Sequence, residues 1–133
     1  MSRGIKVEAS PLFIHERSWR RGSENDYFWS YSICMSMGTD ADAQWKSKLT
    51  TRHWVITDGD GKVDDVQGPG VIGLYPEMKP GCADFKYESC CSLSTSTGNM
   101  RGTFQMKRLA TGELFDVEVP KYEFKVPKML SEK

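Results

Sequence analysis

One short stretch sets the terms for this chain. From Trp29 to Met37 the large residues Trp29, Tyr31, Ile33, Met35 and Met37 alternate with Ser30, Ser32, Cys34 and Ser36. A period of two puts the large side chains on one face of an extended strand and the small ones on the other. A helix cannot use that pattern, because its apolar face recurs every three to four residues. The alternation is repeated elsewhere. Ile5, Val7 and Ala9 form a first strand, ended near Pro11, and Leu49, Arg52, Trp54 and Ile56 a third that runs up to Asp58. Lys62–Gln67, then Phe85, Tyr87 and Ser89 after a Pro80-Gly81 turn, and then Met100, Gly102, Phe104 and Met106 continue it. Phe115, Val117 and Val119 make a last strand closed by Pro120, with Tyr122 and Phe124 as an extension past that break.

Between these runs lie turn-forming residues. Arg17–Asp26 and Gly38–Ala43 are expected as loops, and Ser92–Gly98 as a polar connection between strands. Asp58-Gly59-Asp60-Gly61 predicts a hairpin with a type I′ turn, which needs positive φ at both central residues. The acidic turn lacks the offsets of a calcium-binding loop. About seven strands at short spacing, with no helical pattern, predict an antiparallel β-sandwich. A chain of 133 residues is long enough for one domain with its own core. That domain is expected over 1–127, with 128–133 as a loosely held tail.

Charge narrows the function. Eighteen Lys and Arg balance eighteen Asp and Glu, against the basic excess of a protein that works by neutralising phosphates. Nucleic acid is therefore an unfavoured direct ligand. No apolar run reaches the length of a membrane span, and Met1–Val7 carries no apolar signal core. The expected compartment is intracellular, cytoplasmic by default, with a nucleus or an organelle left open. Cys34, Cys82, Cys90 and Cys91 are read as reduced thiols, since no secretory context supports disulfides. Adjacent Cys90 and Cys91 point to opposite faces of a strand and do not have zinc-ligand spacing. No metal and no cofactor is expected.

Three features carry candidate chemistry. Gly68-Pro69-Gly70-Val71-Ile72-Gly73 matches the dinucleotide-binding fingerprint G-x-G-x-x-G. That motif works by aiming a helix N-terminus at a pyrophosphate, and Pro76 and Pro80 leave no room for the helix. A tight glycine-rich connection is the simpler reading, with a backbone anion nest as the functional one. Arg52 shares the face of Trp54 and is expected to answer a carboxylate or backbone carbonyls. His53 faces outward with no nucleophile beside it, and His15 falls at a loop edge, so no catalytic set is expected. Arg17, Trp19, Arg20 and Arg21 mix basic and aromatic residues in one loop, a composition enriched at protein interfaces.

In sequence order, Arg52–Asp58, Val66–Gly73, Pro76, Pro80-Gly81, Phe85–Ser89, Gly98–Gly102 and Phe115–Pro120 resemble the ApaG domain family over about Ile5 to Pro127. The resemblance implies a fibronectin type III-like or immunoglobulin-like sandwich. It also implies a domain that binds other proteins and has no established enzymatic chemistry. Family members are small bacterial proteins associated with cobalt and magnesium tolerance, or domains of F-box and polymerase delta-interacting proteins. The long Arg17–Asp26 and Gly38–Ala43 segments depart from many bacterial members, and Gln67–Gly70 is closer to the F-box type. The expectation is a non-enzymatic module that recruits or anchors a protein partner, as a free protein or as a subunit of a larger assembly. Its contacts are Trp19, Arg20 and Arg21, with Arg52, Gly68, Gly70 and Gly73 shaping a second surface. The alternative is a small-anion or nucleotide-binding protein using Arg52, Gly68, Gly70, Gly73 and Arg101. Exposed sheet edges also allow a homodimer.

Overall fold

The alternating runs become strands, and where the alternation breaks parity the structure places a bulge. The computed structural model describes residues 3–14, 18–21 and 24–125, with the backbone alone for 19–21 and 24–26. The strands are β1 (Ile5–Phe13), β2 (Trp19–Arg21), β3 (Glu24–Met37), β4 (Ser47–Asp58), β5 (Val63–Pro69), β6 (Glu77–Met78), β7 (Phe85–Leu93), β8 (Thr97–Arg108) and β9 (Leu114–Lys125). A 3₁₀ turn over Ala43–Trp45 separates β3 from β4. One sheet runs β1-β3-β7, with β2 on β3 in the line of β1. The other runs β5-β4-β8-β9, with β6 on β4 in the line of β5. Every pairing is antiparallel. The two sheets form the expected sandwich, with seven long strands and two short ones among the described residues.

The core is the large-residue face of each run. Trp29, Ile33, Met35 and Met37 of β3 meet Met100, Phe104 and Met106 of β8 and Val117, Val119 and Phe124 of β9, all buried. Burying side chains of this size stabilises by roughly 1.5–3 kcal/mol each. At the centre, Trp54 packs edge-on to Phe104 at 5.6 Å and to Tyr31 at 6.0 Å. Its ring lies over Gly102, its direct neighbour on β8.

Leu49 and Trp54 are both buried although they are five positions apart, an odd interval that a regular strand would send to opposite faces. The register of β4 on β8 shifts between Leu49 and Thr51, so Thr50 is an extra residue, and such a bulge exchanges the faces. Likewise Val119 and Tyr122 both face inward, because Pro120 and Lys121 lie at a register shift against Arg101. A proline at a bulge removes no ladder bond. Pro120 therefore does not close the last strand, which runs on to Lys125.

Other expectations are corrected the same way. Pro11 does not end β1. Ile14 N–H donates to the Phe28 carbonyl at 2.9 Å, and since ladder bonds alternate, Pro11 falls where its missing N–H would face solvent. Arg17–Asp26 is not a simple loop, because β2 and the start of β3 form a hairpin within it. The β4–β5 hairpin exists but its turn is not type I′. Asp58 N–H donates to Lys62 O at 2.9 Å and Gly61 N–H to Asp58 O at 3.1 Å, a three-residue loop with Gly61 at φ 84. The Asp58 carboxylate accepts from Asp60 N–H and Lys62 N–H, both at 2.9 Å, and clamps it. The Ser92–Gly98 connection shrinks to residues 94–96. His15, Arg17 and the tail 128–133 lie outside the described residues. Among the described residues, no helix is long and apolar enough to cross a membrane.

Gly102 is the point to test. A Cβ there would land on the His53 carbonyl oxygen and the Trp54 ring. Gly102→Ala is expected to cost about 1–3 kcal/mol, read as a lowered urea midpoint with an unchanged slope. Gly38→Ala, which meets nothing within 4 Å, is expected to move the midpoint little.

Candidate functional site: a braced turn and the cleft beside it

The G-x-G-x-x-G segment begins inside a strand. Gly68 stands on β5 opposite Arg52 of β4, and the Arg52 guanidinium lies across it, 3.2–3.4 Å from where a Cβ would sit. From there Arg52 Nη1 donates to the Pro69 carbonyl at 3.1 Å and the Gly70 carbonyl at 2.9 Å. The expectation that Arg52 answers backbone carbonyls holds. The chain then leaves the sheet edge where Thr50 bulges, with Gly70 N–H donating to Thr50 O at 2.8 Å. Gly70 has φ 61, and a Cβ there would fall 2.6 Å from the Leu74 carbonyl oxygen. Only glycine fits.

Past Gly70 the chain reverses. Val71 N–H donates to Leu74 O at 2.9 Å and Leu74 N–H to Val71 O at 2.8 Å. Both central residues, Ile72 at φ 43 and Gly73 at φ 79, are left-handed, as a type I′ turn requires. Val71 is fully buried and anchors the turn, while Ile72, Leu74 and Tyr75 are exposed. The Tyr75 ring covers Gly70, and Leu49 N–H takes the Pro76 carbonyl at 2.9 Å, returning the chain to β6. The fingerprint is thus a knuckle: an excursion of the edge strand, braced from below by Arg52.

The residues singled out in the sequence are only partly brought together. Arg52, Gly68 and Gly70 converge, but in service of the turn. Gly68 sits in the β4 ladder, Gly70 N–H is bonded to Thr50, and Gly73 stands at the tip with nothing within 4 Å of a Cβ. Arg101 is on the other face of the sheet, lining a 280 Å³ hollow with His53, Thr103 and Glu118. These groups do not surround one point. On that outer face His53 Nε2 and Asp65 Oδ1 are 2.9 Å apart, and the contact holds the Asp65 carboxyl below its usual range. Trp19, Arg20 and Arg21 form β2, and their side chains lie outside the described residues. Among the described residues no group of three or more His, Cys, Asp or Glu side chains is placed to share a metal ion.

What sequence reasoning missed is the cleft that Arg52 also lines. It has a volume of 660 Å³ and lies between β4–β5 and β7, with Tyr31, Trp54, Ile56 and Val66 as its apolar walls. Asp58, Lys62, Asp64, Ser89 and Cys91 are on its polar sides. Burial raises the Tyr31 hydroxyl above its usual range, so the phenol is neutral at physiological pH. Burial also pushes the Cys91 thiol up to about 12. The signal for this side was present in the sequence: no charged residue occurs from Ser89 to Met100.

A family model for the ApaG domain (DUF525) matches residues 17–108. The chain is 39% identical over 127 residues to Protein ApaG of Mesorhizobium japonicum, covering 96% of this chain and 92% of that protein. It is 37% identical over 127 residues to Protein ApaG of Brucella anthropi, with the same coverage. The fold is similar to the X-ray structure of Northeast Structural Genomics Consortium target SoR45, with a TM-score of 0.82 and 32% identity over 95% of this chain and 89% of that one.

Two outcomes follow from this geometry. Arg52→Leu leaves two strand-end carbonyls without their donor and is expected to cost about 1–3 kcal/mol by chemical denaturation. Arg52→Lys recovers only part of it, because one ammonium does not reproduce a planar fork. In the folded chain, iodoacetamide at pH 8 is expected to modify exposed Cys90 and spare Cys91, which reacts as the pH approaches 12 or the chain unfolds. Mass spectrometry of the peptides reads both.

Proposed function

The chain belongs to the ApaG domain family, and from that premise we propose that it is a non-enzymatic protein-interaction module that anchors a partner through the knuckle. The observation that carries the reading is Ile72. A β-branched residue with φ 43 is in a conformation that L residues avoid at a cost of about 1–2 kcal/mol. The residue is 58% exposed, beside Leu74 at 48% and Tyr75 at 46%. Neither the strain nor the exposure helps the isolated domain. Asn or Gly at this position would relieve the strain, so a role for the apolar side chain accounts for both costs.

A convex apolar tip of this kind fits a concave apolar pocket on another protein, with Ile72 as the anchor and Tyr75 as a flat flank. The bracing by Arg52, Gly70 and Val71 keeps the tip in one shape, which lowers the ordering cost of binding. Trp19, Arg20 and Arg21 on β2 are the second contact in this reading. The chain then acts as an adaptor or as a subunit of a larger assembly.

The test compares the tagged chain with an Ile72→Asn variant in native extract, sized by gel filtration and read by mass spectrometry. The variant is expected to unfold at a higher denaturant midpoint, by about 1 kcal/mol, and to lose a stoichiometric partner that the parent retains. A more stable variant that keeps every partner of the parent overturns the knuckle. Arg20→Ala/Arg21→Ala reads the β2 contact separately.

A further inference from the structure

The two sheets do not match in width. With β2 in the line of β1 and β6 in the line of β5, one sheet is three strands across (β1, β3, β7) and the other four (β9, β8, β4, β5). β1 lies against β9 and closes one side of the sandwich. On the other side the first sheet stops at β7, and the inward residues of β5 face no strand among the described residues. Asp64 is exposed, Val66 and Ile56 are half-buried, and the cleft occupies the gap. A volume of 660 Å³ is within the usual range of ligand clefts.

The edges on either side of that gap differ. Ladder bonds alternate, and from Asp58 N–H on Lys62 O the β5 residues whose backbone turns away from β4 are Val63, Asp65, Gln67 and Pro69, the last with its carbonyl held by Arg52. That edge carries a proline and a carboxylate, two of the devices that discourage strand addition. The same alternation, counted from Ile14 on Phe28 through the β1–β3 and β3–β7 registers, leaves Lys86, Glu88, Cys90 and Ser92 free on β7. From Ser89 to Leu93 this edge has no charge, no proline and no bulge. It is unprotected where the cleft opens.

We infer that β7 accepts an extended peptide from a partner protein as the missing fourth strand, by β-augmentation. Backbone groups of Glu88, Cys90 and Ser92 pair with the peptide. Every second peptide side chain turns into the cleft, and those that meet Trp54, Ile56 and Val66 are apolar. The Asp64 carboxylate makes no hydrogen bond or ion pair with the described residues and lies at the level of Ile56, so the inward peptide side chain at that level is a Lys or Arg. Lys62 of the same cleft disfavours a second cation beside it. The occupant is an extended segment whose inward positions are apolar save one Lys or Arg. The inference rests on reading the chain as a protein-binding module, but not on the knuckle.

The probe is a phage-displayed library of random dodecapeptides selected on the full chain, with enriched peptides synthesised and followed by amide hydrogen exchange. The expected peptides carry apolar residues at every second position with a Lys or Arg at one of those positions, and they protect the Glu88, Cys90 and Ser92 amides. Asp64→Lys is expected to weaken them at least tenfold, as is Cys90→Pro, which removes the central free donor. Ile72→Asn is expected to leave their affinity unchanged. Peptides lost with Ile72→Asn but kept by Asp64→Lys would overturn the strand site and leave the module reading in place. A selection that enriches nothing overturns the strand site, and partner retention by the knuckle variant tests the module reading independently. Concentration-dependent protection of the same amides without peptide, with a dimer by light scattering, would assign the gap to a second copy and overturn the peptide.

Discussion

A single extra residue in β4 decides how the rest is arranged. Thr50 interrupts the register on β8, and without it Leu49 and Trp54 could not both reach the core. On one side its hydroxyl donates to the Gln105 carbonyl at 2.8 Å. On the other its carbonyl receives Gly70 N–H, at the place where the edge strand departs to make the knuckle. Packing parity and the position of the exposed tip are thus set by one residue, since a bulge both exchanges faces and bends the strand.

Arg52 links the two surfaces. Two residues beyond the bulge, it returns to the inward face beside Trp54, where its guanidinium forms part of the cleft wall and grips the carbonyls that start the knuckle. A motif that elsewhere wraps phosphates is here used for backbone geometry. Its glycines permit a cation to lie flat on Gly68, a left-handed turn into Gly70, and a reversal at Gly73. The charge of Arg52 is spent on carbonyls, and the glycine amides largely on strand partners.

Much of the fold was legible in particular residues. Trp29–Met37 and Met100–Met106 alternate without a break, and both are strands over that full range. The misreadings cluster where local chemistry has two outcomes. Pro11 and Pro120 look like strand ends, yet an edge position excuses the first and a bulge the second. Asp58–Gly61 has the composition of a two-residue hairpin turn, but the Asp58 side chain caps a wider loop. The two-residue turn instead falls on Ile72-Gly73, which no propensity would select, because a β-branched residue is placed there against its preference. The Arg52–Gly68 pairing was half legible: facing parity put Arg52 inward, but its partners lie across a strand pair.

By itself the sequence determined that this is a β-sandwich, which residues of its alternating strands turn inward and which family it resembles. Period-two burial and turn residues are local, and local order is what a linear pattern records. Tertiary structure alone decided which edges stay open. The mismatch of three strands against four, the unprotected half of β7 and the brace beneath the knuckle depend on registers between segments far apart in the chain. Such registers are settled by the packing of whole sheets, where one bulge moves every side chain beyond it.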